Sequence, residues 1–289
     1  MKANDLDPAV LALVFAFALI GYGTKIGLVP MHAWLPFAHS EGPTPVSAVL
    51  SGLLLNVGLY ALLRFKMLLW ANSHTSLPGD LMIGFGLASL MFAALMLYRC
   101  RDIKRLFTYS SIEHMGLITL AFGIGGHLAT LAGLLHMALH SLTKSAIFFI
   151  VGHVAQIEGT QKIYKIRNLT ASHPELGWAL VVGVLTISGL PPGGLFMTEF
   201  LLVSSTFSLN RVLGVLLVAG LLIAFGAMIW RLQTLAFGGP TDTSAKREQT
   251  ALTVSLLPPA FNLSLVIVAG LFLPASFVTF LNGIAVMLK

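Results

Sequence analysis

Apolar runs of about twenty residues or more follow one another along almost the whole chain, at about 8–28, 45–65, 80–98, 106–124, 128–157, 175–208, 212–236 and 257–287. About 20 apolar residues suffice for a helix to cross the hydrocarbon of a bilayer. The runs therefore predict about eight transmembrane helices joined by short loops. Charge offers no soluble alternative. Only 10% of the residues are Asp, Glu, Lys or Arg, against about 25% in a typical soluble domain, too few to cover a water-facing surface. A closed β-barrel is excluded because the runs are continuous rather than alternating. The fold class is an all-α integral membrane protein.

The fifth and sixth runs are longer than one straight span requires. Each holds a polar residue or a Gly/Pro cluster near its middle, so two of the helices are expected to be broken or tilted at mid-membrane. The longest polar stretch, about 238–250, reads as a loop, and nothing marks a soluble domain.

Lys and Arg set the orientation. One set of alternate loops holds Arg99, Arg101, Lys104, Arg105, Lys162, Lys165, Arg167, Lys246 and Arg247, nine in all, while the opposite set holds Lys2, Arg64, Lys66, Arg211 and Lys289. The richer side is expected to be cytoplasmic, with both termini outside. The net charge of +6 is thus a matter of topology, and nucleic acid is not an expected partner. Trp70, Trp178 and Trp230 fall near span ends, where an indole anchors at the headgroup level. The single cysteine, Cys100, provides neither an intrachain disulfide nor a metal cluster.

Ionisable side chains at membrane depth are costly and usually line a pathway or hold an ion. Lys25, Glu113, Lys144 and Glu199 are the strong candidates, with His114, His136, His140 and His153 beside them. His136, His140 and Lys144 recur every four residues in HMALHSLTK, which puts them on one stripe of a helix, about 6 Å apart along its axis. One water bridges such a gap. A buried lysine and neutral histidines can pass protons near neutral pH. Ser141, Thr143 and Ser145 form a polar section in which that helix is expected to unwind. Metal binding by His136 and His140 is disfavoured, because no third ligand stands at the required spacing and an ammonium lies close by.

Glu199 follows Pro191-Pro192-Gly193-Gly194, which must interrupt a helix and free backbone groups beside the carboxylate. A structural pair with a lysine is the competing reading. Lys25 lies near the end of its run and could reach the headgroups instead, and Glu113 could pair with Lys104 or Arg105. His153 continues the stripe roughly, toward an exit. His32, His39 and His74 fall in or near loops. Phosphate loops, nucleophile triads and dinucleotide fingerprints are missing from the sequence, and no catalysis is expected of the chain alone.

These stretches resemble the antiporter-like membrane subunits shared by respiratory complex I, Mrp cation/proton antiporters and group 4 membrane-bound [NiFe] hydrogenases. GTKIGLVPMHAWLPFAHSEGPTPVSAVLSG resembles the family's first lysine helix and the loop after it, HMALHSLTKSAIFF its second lysine helix, and SGLPPGGLFMTEF its broken helix with the terminal charged residue. FTYSSIEHMGLI looks most like the hydrogenase-4 and formate hydrogenlyase branch. The resemblance implies an inverted-repeat antiporter-like fold, with residues 1–77 as the last two spans of the first repeat, 78–237 as a complete second repeat with a proton half-channel, and 238–289 as a cytoplasmic loop and final span. It casts Lys25 as the lysine of the first half-channel, Lys144 as that of the second with His136 and His140 as relay, and Glu199 as the terminal carboxylate. Ser51 and Asn56 stand where the family often carries a titrating side chain, so a link there would run through water.

Family members usually have about fourteen spans, so a further segment or a separate chain is expected to supply the spans before Lys25. The implied function is proton translocation in a membrane-bound hydrogenase or complex I-like pump of a bacterial or archaeal inner membrane. Iron–sulfur clusters and a [NiFe] centre would sit in partner subunits on the cytoplasmic side, beside other membrane subunits, and this chain would hold no cofactor and no metal. The alternatives are a Mrp-type sodium/proton antiporter subunit and a structural scaffold without a competent channel.

Overall fold

The computed structural model describes residues 6–239 and 256–288. These residues are almost entirely helical. The helices are α1 Pro8–Ile26, α2 Trp34–Glu41, α3 Thr44–Val49, α4 Leu55–Ser73, α5 Leu77–Arg99, α6 Ile103–Ile124, α7 Gly126–Ile157, α8 Leu169–Ser172, α9 Pro174–Ile187, α10 Gly194–Leu209, α11 Arg211–Phe237, α12 Leu257–Leu271 and α13 Ala275–Met287. Every apolar run of the sequence is occupied by one helix or by a pair of them.

Among the described residues, five stretches are long and apolar enough to cross a membrane: Pro8–Glu41, Thr44–Ser73, Leu77–Arg99, Gly126–Ile157 and Arg211–Phe237. The pair α12 and α13, bent by 84°, makes a sixth. Helices α9 and α10 are shorter apolar helices that share the sixth run. Helix α6 is different in kind. Almost all of its residues are buried, among them Thr108, Ser110, Ser111, Glu113, His114 and Thr119. It is surrounded by protein rather than lipid, so it can carry polar groups that a lipid-facing helix could not.

The breaks fall only partly where the sequence places them. The sixth run is interrupted between α9 and α10, as expected, but the fifth run is one continuous helix of 32 residues. Its hydroxyls explain why it does not unwind. Ser141 donates to the Met137 carbonyl at 2.8 Å and Thr143 to the Leu139 carbonyl at 2.8 Å, so they fold back onto their own helix rather than opening it. The second break lies in the eighth run, where Leu273 precedes Pro274. A residue before proline is steered away from the helical region, and Phe272 is already extended.

Helix α1 shows how local sequence sets a span end. Asp7 caps its first turn, accepting from the Ala9 amide at 2.7 Å, and Pro8 suits the first helical position. At the other end Gly27 takes a left-handed φ of +84° and returns its amide to the Gly23 carbonyl. A glycine adopts this conformation without steric cost. Elsewhere glycines permit close approach. A Cβ added at Gly86 on α5 would lie 2.6 Å from the Gly116 carbonyl oxygen and 2.7 Å from the Leu120 amide on α6. Small residues at such crossings let backbones pack closely in membranes. Gly86→Val should force the two helices apart and cost about 1–3 kcal/mol or more. Lower yield of folded protein in detergent, with a lower melting midpoint, checks it; an unchanged midpoint refutes the close packing.

The basic loops lie together. Ile103 donates to the Gln161 carbonyl at 2.8 Å and Ile163 to the Arg101 carbonyl at 2.9 Å, joining the α5–α6 connection to the segment after α7. The opposite face gathers Lys66, Trp70 and Asp80 with Leu288, and Asn72 donates to the Leu6 carbonyl at 2.9 Å. Lys2, Lys246, Arg247 and Lys289 lie outside the described residues. Trp70, Trp178 and Trp230 are exposed, consistent with anchoring. Cys100 caps the end of α5, and burial pushes its thiol up to about 12, which leaves it an inert packing group.

Candidate functional site: a buried file of titratable groups

Three helices meet around the candidate residues. Helix α6 supplies Glu113 and His114, α7 supplies His136, His140 and Lys144, and α10 supplies Thr198 and Glu199. All of these side chains except Glu199 are buried at 4% exposure or less, and Lys144 is fully enclosed. Helix periodicity accounts for the α7 stripe. Only tertiary packing brings α6 and α10 against it.

Lys144 Nζ donates to the Phe107 carbonyl oxygen at 3.0 Å and lies 5.8 Å from the centre of the Phe107 ring. Glu113 is its carboxylate neighbour, and the two act on each other electrostatically rather than through a direct ion pair. Glu113 also acts on Glu199, there as a like charge. It is thus in electrostatic reach of both the lysine and the terminal carboxylate. Its Oε2 is 3.6 Å from His114 Nε2, and the alternative pairing with Lys104 or Arg105 is not formed among the described residues. Lys104 instead donates to the Gly42 carbonyl at 3.1 Å.

The histidines form a directed chain. His114 Nδ1 is 3.0 Å from His136 Nε2, and His136 Nδ1 is 2.8 Å from Thr198 Oγ1. The Thr198 hydroxyl donates its one proton to the Leu195 carbonyl at 2.7 Å, so it accepts on the histidine side. His136 must then carry its hydrogen on Nδ1, leaving a lone pair on Nε2 that faces His114. A proton reaching His114 can pass to His136 along that contact. His140 lies against both rings, with centroids 5.3 Å from His114 and 6.3 Å from His136, and neither of its ring nitrogens has a hydrogen-bond partner.

The break between α9 and α10 shapes the space around Glu199. Gly189 has φ +66°, and a Cβ there would lie 2.1 Å from Glu199 Oε2. The absent side chain is what admits the carboxylate. The Ile187 carbonyl, at the end of α9, serves His114, so a backbone group released by the break is used by the site. A cavity of about 340 Å³ opens beside it, lined by Ser110, Glu113, Ser188, Gly189 and Glu199 and by apolar side chains of α10 and α11. Both carboxylates line it.

Ser51 and Asn56 reach the same core. Ser51 Oγ is 2.8 Å from Ser111 Oγ, and Asn56 Nδ2 donates to Ser141 Oγ at 2.7 Å. A π-helical turn, Leu50–Leu54, joins α3 to α4 at this level; such turns are frequent at functional sites. Lys25 is not part of the cluster. It lies in the last turn of α1 on an exposed face, beside Gly58 of α4. His153 is half-buried, nine residues beyond Lys144 toward the basic loops, and outside the file.

Two contributors were missed in the sequence. His39 is fully buried on α2, stacks on Phe148 at 4.7 Å, has no partner at either ring nitrogen, and feels the charges of Lys144 and Lys104. Its setting in the apolar WLPFAHSE was a usable signal that it is not a loop histidine. Thr198 had none, since its role exists only once α10 packs on α7.

A helical membrane bundle with an enclosed lysine, two carboxylates and a file of histidines defines a polytopic integral membrane protein. The chain belongs to the NADH:quinone oxidoreductase/Mrp antiporter transmembrane family, whose profile matches residues 3–224. It is 55% identical to the hydrogenase-4 component F homolog of Methylacidiphilum infernorum (isolate V4), over 99% of this chain and 59% of that protein. It is 31% identical to NADH-quinone oxidoreductase subunit N of Desulforudis audaxviator (strain MP104C), over 92% of this chain and 56% of that one. Among solved structures it is similar to a chain of the membrane-bound sulfane sulfur reductase, an archaeal respiratory membrane complex, with a TM-score of 0.85 and 27% identity, covering 99% of this chain and 57% of that one. The chain thus spans somewhat over half the length of these relatives.

Proposed function

We propose that this chain is a proton-translocating membrane subunit, or part of one, of a redox-driven complex of the hydrogenase or complex I type. The observation that carries the reading is the enclosed Lys144 with Glu113 in electrostatic reach of both it and Glu199, flanked by the His114–His136 contact. Protons would be taken up from the side of the basic loops. A polar cleft of about 580 Å³ opens there, lined in part by Thr44, Lys104, Gln156, Thr160 and Gln161, and His39 lies between Lys104 and Lys144 in electrostatic reach of both. From Lys144 the path would run through Glu113 to His114 and His136 or, across the cavity that both carboxylates line, to Glu199.

The ligand chemistry favours protons over sodium. Hard cations take oxygen donors, whereas this file is built mostly of imidazoles and an ammonium. The Mrp-type exchanger is therefore the weaker reading.

On this reading residues 1–77 complete a first repeat supplied elsewhere, and 78–237 form the second. Lys25 would serve the first repeat. Its surroundings fit: Val10, Leu13 and Phe17 of α1 and Val57 and Tyr60 of α4 are exposed and apolar, as a face covered by further membrane helices would be. The complex would reside in a bacterial or archaeal inner membrane with both chain ends outside. Redox subunits on the cytoplasmic side would hold the iron–sulfur clusters and a [NiFe] centre. Leu6 and Leu288, near the two described ends, share the face opposite the basic loops, which supports that orientation.

Glu199→Gln in the assembled complex tests the reading. The amide keeps the shape and removes the titration. Proton uptake by inverted vesicles should fall about tenfold or more per electron transferred, with no dependence on sodium. Unchanged uptake, or uptake that requires sodium, refutes it.

A further inference from the structure

We propose that His114, His136 and Glu199 also form a binding site for a transition-metal dication of the zinc class. One ligand atom from each lies within 4.8 Å of the others, and the three come from α6, α7 and α10. Ligand atoms bound to one zinc at about 2.0–2.2 Å stand closer together than this limit, so small side-chain movements complete the site. The nitrogen pair is already in place. His114 Nδ1 and His136 Nε2 face each other at 3.0 Å, and Thr198 holds His136 in the tautomer that leaves Nε2 without a hydrogen. A contact of this kind holds one proton between the two nitrogens; without it, two lone pairs oppose each other. A dication would take both lone pairs in the proton's place once the two rings turn so that the lone pairs converge on it.

His140 adds an independent observation. It is fully buried beside both rings, and among the described residues neither of its nitrogens is bonded, so an unpartnered imidazole borders the three ligands without being one of them. The cavity beside the site reaches Glu199. Two imidazoles with one carboxylate select zinc, copper or nickel over magnesium or calcium. Lys144 turns its ammonium to the Phe107 carbonyl, and Glu113 beside it offsets its charge. Ligation displaces the protons held by these groups to water, with no redox step. The binding claim stands apart from the proton-path reading. Only its consequence, that the bound dication would stop proton traffic through His114 and His136, rests on that reading.

The test counts zinc in the assembled complex after equilibration with zinc chloride and desalting, comparing wild type with His136→Gln, Glu199→Gln and Thr198→Val. We expect one zinc fewer per complex in the first two variants and about tenfold weaker binding in the third, as for loss of an outer-shell partner. Equal zinc content and affinity in all four overturns the proposal. Should the ligand variants fail to assemble, zinc-edge X-ray absorption on the wild type, read as the difference between loaded and unloaded complex, decides it. Added scattering from imidazole with a light-atom ligand supports the site, and added scattering without imidazole overturns it. Zinc that binds as expected yet leaves proton uptake unchanged supports the site and counts against the proton path.

Discussion

Lys144→Met, made in the assembled complex, is expected to reduce proton uptake about a hundredfold relative to electron transfer, the scale set by removing a positioned proton-transfer group. The side chain is fully enclosed, and its amine is held by the Phe107 carbonyl. Nothing else on the α7 stripe at that level titrates, since Ser141, Thr143 and Ser145 carry only hydroxyls. Methionine is the informative replacement. It keeps most of the volume, whereas Lys144→Ala opens a cavity whose cost of a few kcal/mol would mix a folding defect with a transfer defect. The two variants should lose translocation alike, with Lys144→Met assembling normally. Dye-monitored proton uptake by inverted vesicles, normalised to electron transfer, measures the effect. A Lys144→Met complex pumping at the wild-type ratio would remove Lys144 from the path.

Glu113→Gln should be nearly as damaging, about tenfold or more, for a different reason. Glu113 is the one group that interacts with Lys144, with Glu199 and with His114 together. Its loss leaves the enclosed ammonium without its compensating carboxylate, an expensive state in low dielectric. Residues that work as one unit show non-additive losses. The Lys144→Met/Glu113→Gln double variant should therefore pump no worse than the Lys144 single variant, because with the ammonium also removed no charge at that level is left uncompensated. Losses that multiply would show that the two residues act independently, contrary to the file described above.

The positions of the helices were legible in the sequence because bilayer thickness leaves little choice. Runs at 80–98 and 212–236 correspond to Leu77–Arg99 and Arg211–Phe237. The interruption at Pro191-Pro192 was legible as well, because proline removes a donor wherever it stands. The expected unwinding at Lys144 was misplaced, since serine and threonine can satisfy a helix backbone as well as disturb it, and their direction is not a property of spacing. The bend before Pro274 went unread for the opposite reason: the run stayed apolar through the break, so hydropathy gave no sign of it.

The site divides in the same way. Periodicity aligns His136, His140 and Lys144, and burial of charge marks Glu113 and Glu199 as costly and hence purposeful. What spacing along one helix cannot supply is the contact between helices. The tautomer of His136 depends on Thr198, 62 residues away, the seat of Glu199 on the missing side chain of Gly189, and the burial of His39 on Phe148. The membrane fold, the stripe of α7 and the list of charges that had to be compensated were all written into the chain, because they follow from local geometry and the cost of leaving water. Which of those charges meet was left to the packing of α6, α7 and α10, because only close contact between helices sets the ångström-scale distances over which proton transfer and ligation operate.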